Sequence, residues 1–167
     1  MFAIDIANQQ TVVPVDERRL KSAVRAVLKG EGLASAKVSL AVVDDATIQQ
    51  LNVRYLAHDY ATDVLSFLLD EEDDYREGEV VVSAETALRE APSYGWAAAD
   101  ELLLYVLHGT LHLLGYDDQA REDRAAMREK ERIYLRRLGY RSSHAAGGDE
   151  KPDSRSSKRR APRRGGT

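Results

Sequence analysis

The 167-residue chain contains no cysteine. That absence excludes disulfide staples, thiolate zinc sites and a cysteine nucleophile, and it suits a reducing compartment. Long apolar runs are also missing, because no stretch of about 18 residues has the character of a membrane span. The first residues, MFAIDIANQQ, carry neither the basic nor the apolar region of a secretory leader, so a cytoplasmic protein is expected. The chain has no internal repeat. Its length still suits one domain that buries a core without covalent help.

Charge is present in quantity but unevenly placed. The formal charge of −4 comes from 24 basic and 28 acidic side chains. Residues 141–167 hold eight of the basic groups (Arg141, Lys151, Arg155, Lys158, Arg159, Arg160, Arg163, Arg164) and only three acidic ones, for a charge of +5. Residues 1–140 keep 16 basic and 25 acidic groups, or −9. An acidic body with a basic tail binds no polyanion through net charge, so a nucleic-acid partner needs a local patch or the tail. The tail has no Leu, Ile, Val, Met, Phe, Tyr or Trp, and such a segment cannot offset its ordering entropy. It is expected to be disordered, with a domain over 1–140.

Within that domain helical and strand periods alternate. Residues 2–7 form a short apolar stretch that reads as a strand. Leu20, Val24, Val27 and Leu28 share a helical face behind the capping candidate Asp16. Val38, Leu40 and Val42 alternate as a strand, and Asp44 or Asp45 then caps a helix with Ile48, Leu51 and Tyr55 on its apolar face. Strands are expected over Val64–Leu69 and Glu79–Ser83, with the acidic Asp70–Gly78 as an exposed hairpin loop. Helices follow at about 84–91, 98–114 and 120–138, with Pro92 and Gly115 as breaks. The expected fold is an α/β or α+β layer structure, with one small mixed sheet of about four strands and about five helices.

The chemistry sits at the end of the 98–114 helix. His108 and His112 are four apart and project from one face, one turn apart. Gly115 can take the left-handed conformation that ends a helix, and the reversal brings Asp117 or Asp118 back over the imidazoles. Two nitrogens and one carboxylate oxygen make a three-ligand metal site with an open position. The spacing H-x-x-x-H-x-x-G-x-x-D follows the metzincin pattern, but the general-base glutamate after the first histidine is replaced by Gly109. A histidine pair on an apolar helix also serves simply as core packing, and His58 and His144 read as ordinary loop and tail histidines.

Three ordered motifs over roughly residues 35–140 resemble the bacterial YbeY family. They are His108-Gly109-Thr110-Leu111-His112-Leu113-Leu114-Gly115-Tyr116-Asp117-Asp118, Ala61-Thr62-Asp63-Val64-Leu65-Ser66-Phe67-Leu68 and Gly78-Glu79-Val80-Val81-Val82-Ser83. Glu122 and Met127 on the following helix also look alike. The resemblance implies zinc, one ion per chain, on His108, His112 and Asp118. The family's third ligand is usually histidine, so Asp118 departs from the pattern. Asp117 matches a family aspartate and implies either a brace for the turn or support for a histidine. Leu56 stands where the family usually has an arginine linked to RNA cleavage, which leaves Arg54 or His58 as the candidate phosphate contacts.

The activity implied is single-strand-specific, zinc-dependent endoribonucleolysis in 16S rRNA 3′-end maturation and ribosome quality control. The implied partners are ribosomal RNA and the small ribosomal subunit, together with a small-subunit protein or an assembly GTPase, and no membrane. A non-catalytic ribosome assembly factor is the alternative, and a zincin-type peptide hydrolase is disfavoured by Gly109. The tail is either a solvated extension or a source of phosphate contacts.

Overall fold

The computed structural model describes residues 1–58 and 62–140. The elements are β1 (Phe2–Asn8), α1 (Glu17–Gly30), β2 (Ser35–Val43), α2 (Asp45–Leu56), β3 (Val64–Glu72), β4 (Tyr75–Ser83), α3 (Ala84–Glu90), a 3-10 turn (Ala91–Tyr94), α4 (Ala98–Leu113) and α5 (Arg121–Arg137). The four strands form one mixed sheet in the order β1-β2-β4-β3. β1 pairs parallel with β2 and β2 parallel with β4, while β3 and β4 form an antiparallel hairpin.

Strand alternation sends side chains to two unequal faces. Val38, Leu40 and Val42 of β2 join Val24, Val27 and Leu28 of α1 and the apolar residues of α4 in the main core. On the other face, Val43, Leu65, Phe67 and Val81 form a smaller cluster covered by Ile48, Leu51, Tyr55 and Leu56 of α2. Helix α4 is the central element, with every residue from Glu101 to Leu113 buried. A helix apolar all round belongs in an interior, and the polar side chains buried along α4 are Glu101, His108, Thr110 and His112. Glu101 is held by the Trp96 Nε1 donor at 2.8 Å.

The caps follow the sequence. Asp16 accepts from Arg19 N and Asp44, not Asp45, accepts from Thr47 N. One expectation needs correction. Asp70–Gly78 is not a loop, because β3 runs to Glu72 and β4 starts at Tyr75, leaving a two-residue turn at Asp73 and Asp74. Its acidic side chains extend past the core into water while the backbone stays paired, with Glu71 opposite Arg76 and a register shift between Leu68 and Asp70. Pro92 breaks the helical run as expected, with α3 ending at Glu90. It occupies the first turn of the 3-10 segment, where no backbone N–H is required, and Gly95 (φ 69°) makes the reversal.

Candidate metal centre

The sequence brings His108 and His112 together through the period of α4, and Asp118 through the turn that ends it. Gly115 has φ +97°, a left-handed conformation that costs an L side chain strain. Tyr116 N donates to Leu111 O at 3.2 Å and Gly115 N to His112 O at 3.1 Å, the paired bonds of a Schellman end. Asp117 Oδ1 accepts from Asp118 N at 2.7 Å. Of the two roles expected for Asp117, the bond it makes is the brace: it fixes the backbone that carries Asp118.

The three ligand atoms form a compact triangle. His108 Nε2 and His112 Nε2 are 3.0 Å apart, and Asp118 Oδ2 lies 3.4 Å from the first and 3.7 Å from the second. A point equidistant from all three is about 2 Å from each, which is the bond length of a zinc ion to imidazole nitrogen or carboxylate oxygen. Each of the three residues is 4% exposed, and neither Asp118 oxygen has a hydrogen-bond partner. A buried carboxylate with no donor is costly by itself, so the donor set fits a cation at this point.

The electrostatics agree. Burial opposes charge on Asp118, but the two imidazoles facing it outweigh burial and hold its carboxyl below the ordinary carboxylate range. Burial lowers the His112 pKa, and the neighbouring Asp118 only partly restores it. Both shifts favour the forms that bind a metal: ionised carboxylate and neutral imidazole.

One residue of the site was not singled out from the sequence. Glu131 of α5 places Oε1 2.6 Å from His108 Nδ1, with both side chains buried. A carboxylate there accepts the Nδ1 proton and leaves Nε2 free to face the triangle.

Gly109, where a zincin has its base, packs against the sheet. A Cβ at 109 would come 2.5 Å from Val80 Cγ1 and 2.8 Å from Val64 Cγ2, and the Gly109 carbonyl accepts from Ser66 Oγ at 2.8 Å. A Cβ on Gly78 would likewise meet Leu113 Cδ2 at 2.6 Å. The three sequence motifs are therefore one contact, in which α4 lies close against β3 and β4.

The other candidates stand apart. Arg54 is exposed, with its guanidinium 5.3 Å from the centre of the Tyr55 ring. His58 is half-buried just after Ala57, whose φ of 56° closes α2. Neither belongs to the triangle of His108, His112 and Asp118. Asp59, Ala61, His144 and the whole tail 141–167 lie outside the described residues.

Residues 5–139 match the family described as Endoribonuclease YbeY. The chain belongs to the YbeY family. A YbeY relative from Desulforamulus reducens is 42% identical over 150 residues, covering 83% of this chain and 98% of the relative. One from Carboxydothermus hydrogenoformans is 45% identical over 139 residues, covering 81% of this chain and 96% of the relative. Both are named Endoribonuclease YbeY. The solution structure of TM1509 from Thermotoga maritima superposes with a TM-score of 0.57 at 28% identity, over 83% of this chain and 89% of that one. The YbeY match runs from within β1 to just past α5, so the triangle of His108, His112 and Asp118 lies within the matched region. Among the described residues no helix is long and apolar enough to cross a membrane.

Proposed function

We propose that this chain is a zinc-dependent endoribonuclease that cleaves single-stranded RNA in 16S rRNA 3′-end maturation, working in the cytoplasm on the small ribosomal subunit. The observation that carries this is the buried triangle of His108, His112 and Asp118, in a chain whose family and relatives are named for endoribonuclease activity. Residues 1–140 are the hydrolase domain, with one zinc ion on those three ligands and a fourth position open to water or phosphate. A bound divalent metal supplies Lewis-acid polarisation of a phosphoryl oxygen or a lowered water pKa.

The chain's own groups do the rest. Glu131 holds the Nδ1 proton of His108 and so keeps Nε2 directed at the triangle. Asp117 fixes the turn so that Asp118 meets both imidazoles. Gly109 lets α4 approach the sheet, at the expense of the base that peptide hydrolysis would use. Arg54 and His58 are the proposed phosphate contacts from the α2 end. His112→Ala is expected to lose bound zinc by elemental analysis and rRNA cleavage together. Full metal content with full activity in that variant would sink the proposal.

A second reading is favoured by one residue. Leu56 packs with Tyr55 beside the cluster of Ile48, Leu65 and Phe67, so it is apolar filling where the family has an arginine. A domain without that contact suits a non-catalytic assembly factor, bound to the small subunit with a small-subunit protein or an assembly GTPase. Purified protein that leaves a 16S 3′ precursor uncut, yet co-sediments with small subunits, would establish it.

A further inference from the structure

The distribution of charge within the domain is sharper than its total. Helix α5 carries seven basic and four acidic residues, while the rest of residues 1–140 carries nine basic and 21 acidic. At about 100° per residue, Arg121, Arg124, Arg128, Arg132 and Arg136 fall within roughly one third of the helix circumference. They span about 22 Å along the axis. The acidic residues of α5 do not interrupt this stripe. Glu122 and Asp123 lie off it, Glu129 pairs with Arg132 at 3.2 Å at its edge, and Glu131 turns inward to His108.

The position of the stripe follows from the packing of α5. Lys130, on the side of the helix opposite Arg121, pairs with Glu31 at the end of α1 at 3.2 Å. The arginines therefore point away from α1. Arg121, Arg128 and Arg136 are exposed, and among the described residues none has an ion pair or side-chain hydrogen bond. Arg124 donates to the carbonyl of Gln119, the residue directly after ligand Asp118, at 2.9 Å. Arg128 precedes Glu131 by three residues and Arg124 precedes it by seven, spacings that share a helix face with the side chain touching His108. The stripe thus begins beside the metal ligands and leads away from them.

We propose that α5 is a phosphate track, along which a single RNA strand engaged at the metal cluster continues over Arg124, Arg128, Arg121, Arg132 and Arg136. This rests on the endoribonuclease reading and adds where the strand lies. Guanidinium groups contact phosphate bidentately, and a row of them is complementary to a polyanion that the remaining acidic body repels. The proximity to the cluster selects RNA over an acidic protein surface as the occupant.

The test uses the full-length, zinc-loaded chain and a fluorescein-labelled single-stranded RNA of mixed sequence, about 20 nucleotides long. Binding is followed by anisotropy from about 50 to 200 mM KCl, for wild type, for the triple variant Arg121→Gln, Arg128→Gln, Arg136→Gln, and for the matching triple lysine variant. Loss of three phosphate contacts is expected to reduce the slope of log K against log salt by about 2. The lysine variant should keep the wild-type slope, and zinc content should be unchanged in both. An unchanged slope in the glutamine variant overturns the track and leaves the stripe to an acidic protein partner. A lysine variant that loses as much as the glutamine variant also overturns it, because charge is then not the cause. RNA cleavage by wild type, abolished in His112→Ala, keeps the endoribonuclease reading standing if the track fails, so the two failures are separable.

Discussion

Glu131 acts on the site through a single atom pair, which makes its contribution measurable. Its carboxylate lies 2.6 Å from His108 Nδ1 and its neighbours Met127, Tyr134 and Leu135 are buried with it, so the ring has little freedom to rotate. Glu131→Gln keeps the volume but removes the charge. It is expected to weaken zinc binding by about 10- to 100-fold, as loss of such an outer partner commonly does. Competition with a chromophoric chelator measures this, and an unchanged affinity with intact secondary structure would show that the contact is only packing. Helical period marked His108 and His112 in the sequence and the turn glycine brought Asp117 or Asp118 back over them, while the family resemblance singled out Asp118. Glu131 was not legible there, because it lies 13 residues beyond Asp118. No local spacing rule links them, and only the packing of α5 on α4 brings its carboxylate to the ring. A signal was nonetheless present: a glutamate on the same face as Met127 and Leu135 is a charge placed among core positions.

At the scale of elements, Asp45 joins α2 to α3. Its Oδ1 accepts from Ser83 Oγ at 2.6 Å and Thr86 Oγ1 at 2.7 Å, its Oδ2 meets Arg89 at 3.0 Å, and its backbone N–H donates to Glu85. This link seats α2 over Leu65, Phe67 and Val81. Burial works against the charge of Asp45, but the bonds from Ser83, Thr86 and Arg89 outweigh it and lower its pKa. A carboxyl lowered in the folded state contributes stability that is present above its unfolded pKa and is lost as pH falls through the folded value. Asp45→Asn should therefore cost about 1 kcal/mol near neutral pH, a modest figure because the Arg89 pair is largely solvated. The difference from wild type should shrink below about pH 4. Urea titrations at the two pH values measure it, and a pH-independent difference would assign the effect to geometry instead. Element order and most helix bounds could be read from periodicity. The β3–β4 hairpin was longer than expected because backbone pairing continues where the side chains have left the core, so alternation of apolar residues stops marking it.

For the whole molecule, the candidate metal cluster ties the stability of the fold to the cation it would hold. Asp118 brings both oxygens into the interior without a donor, at the turn that connects the central helix α4 to α5. A cation bound there compensates this buried charge in the native state alone. By mass action, zinc at about 100 times its dissociation constant adds roughly 2.7 kcal/mol to unfolding, and for a domain of this size that raises Tm by about 5–10 °C. Acid should act in the opposite sense. His112 and Asp118 both have pKa values lowered in the fold, so each takes up a proton more readily when unfolded. Their contribution is complete above the ordinary histidine value of about 6.5, and falls first for His112 and then for Asp118 as pH drops. Because the same protons compete with the metal, the zinc-induced rise in Tm should be large at about pH 7.5 and much reduced at about pH 5.5. Calorimetry with zinc and with EDTA at both pH values checks this, with His112→Ala as the control that should show no rise at either. A rise that persists undiminished in that variant would place the stabilising ion elsewhere on the chain.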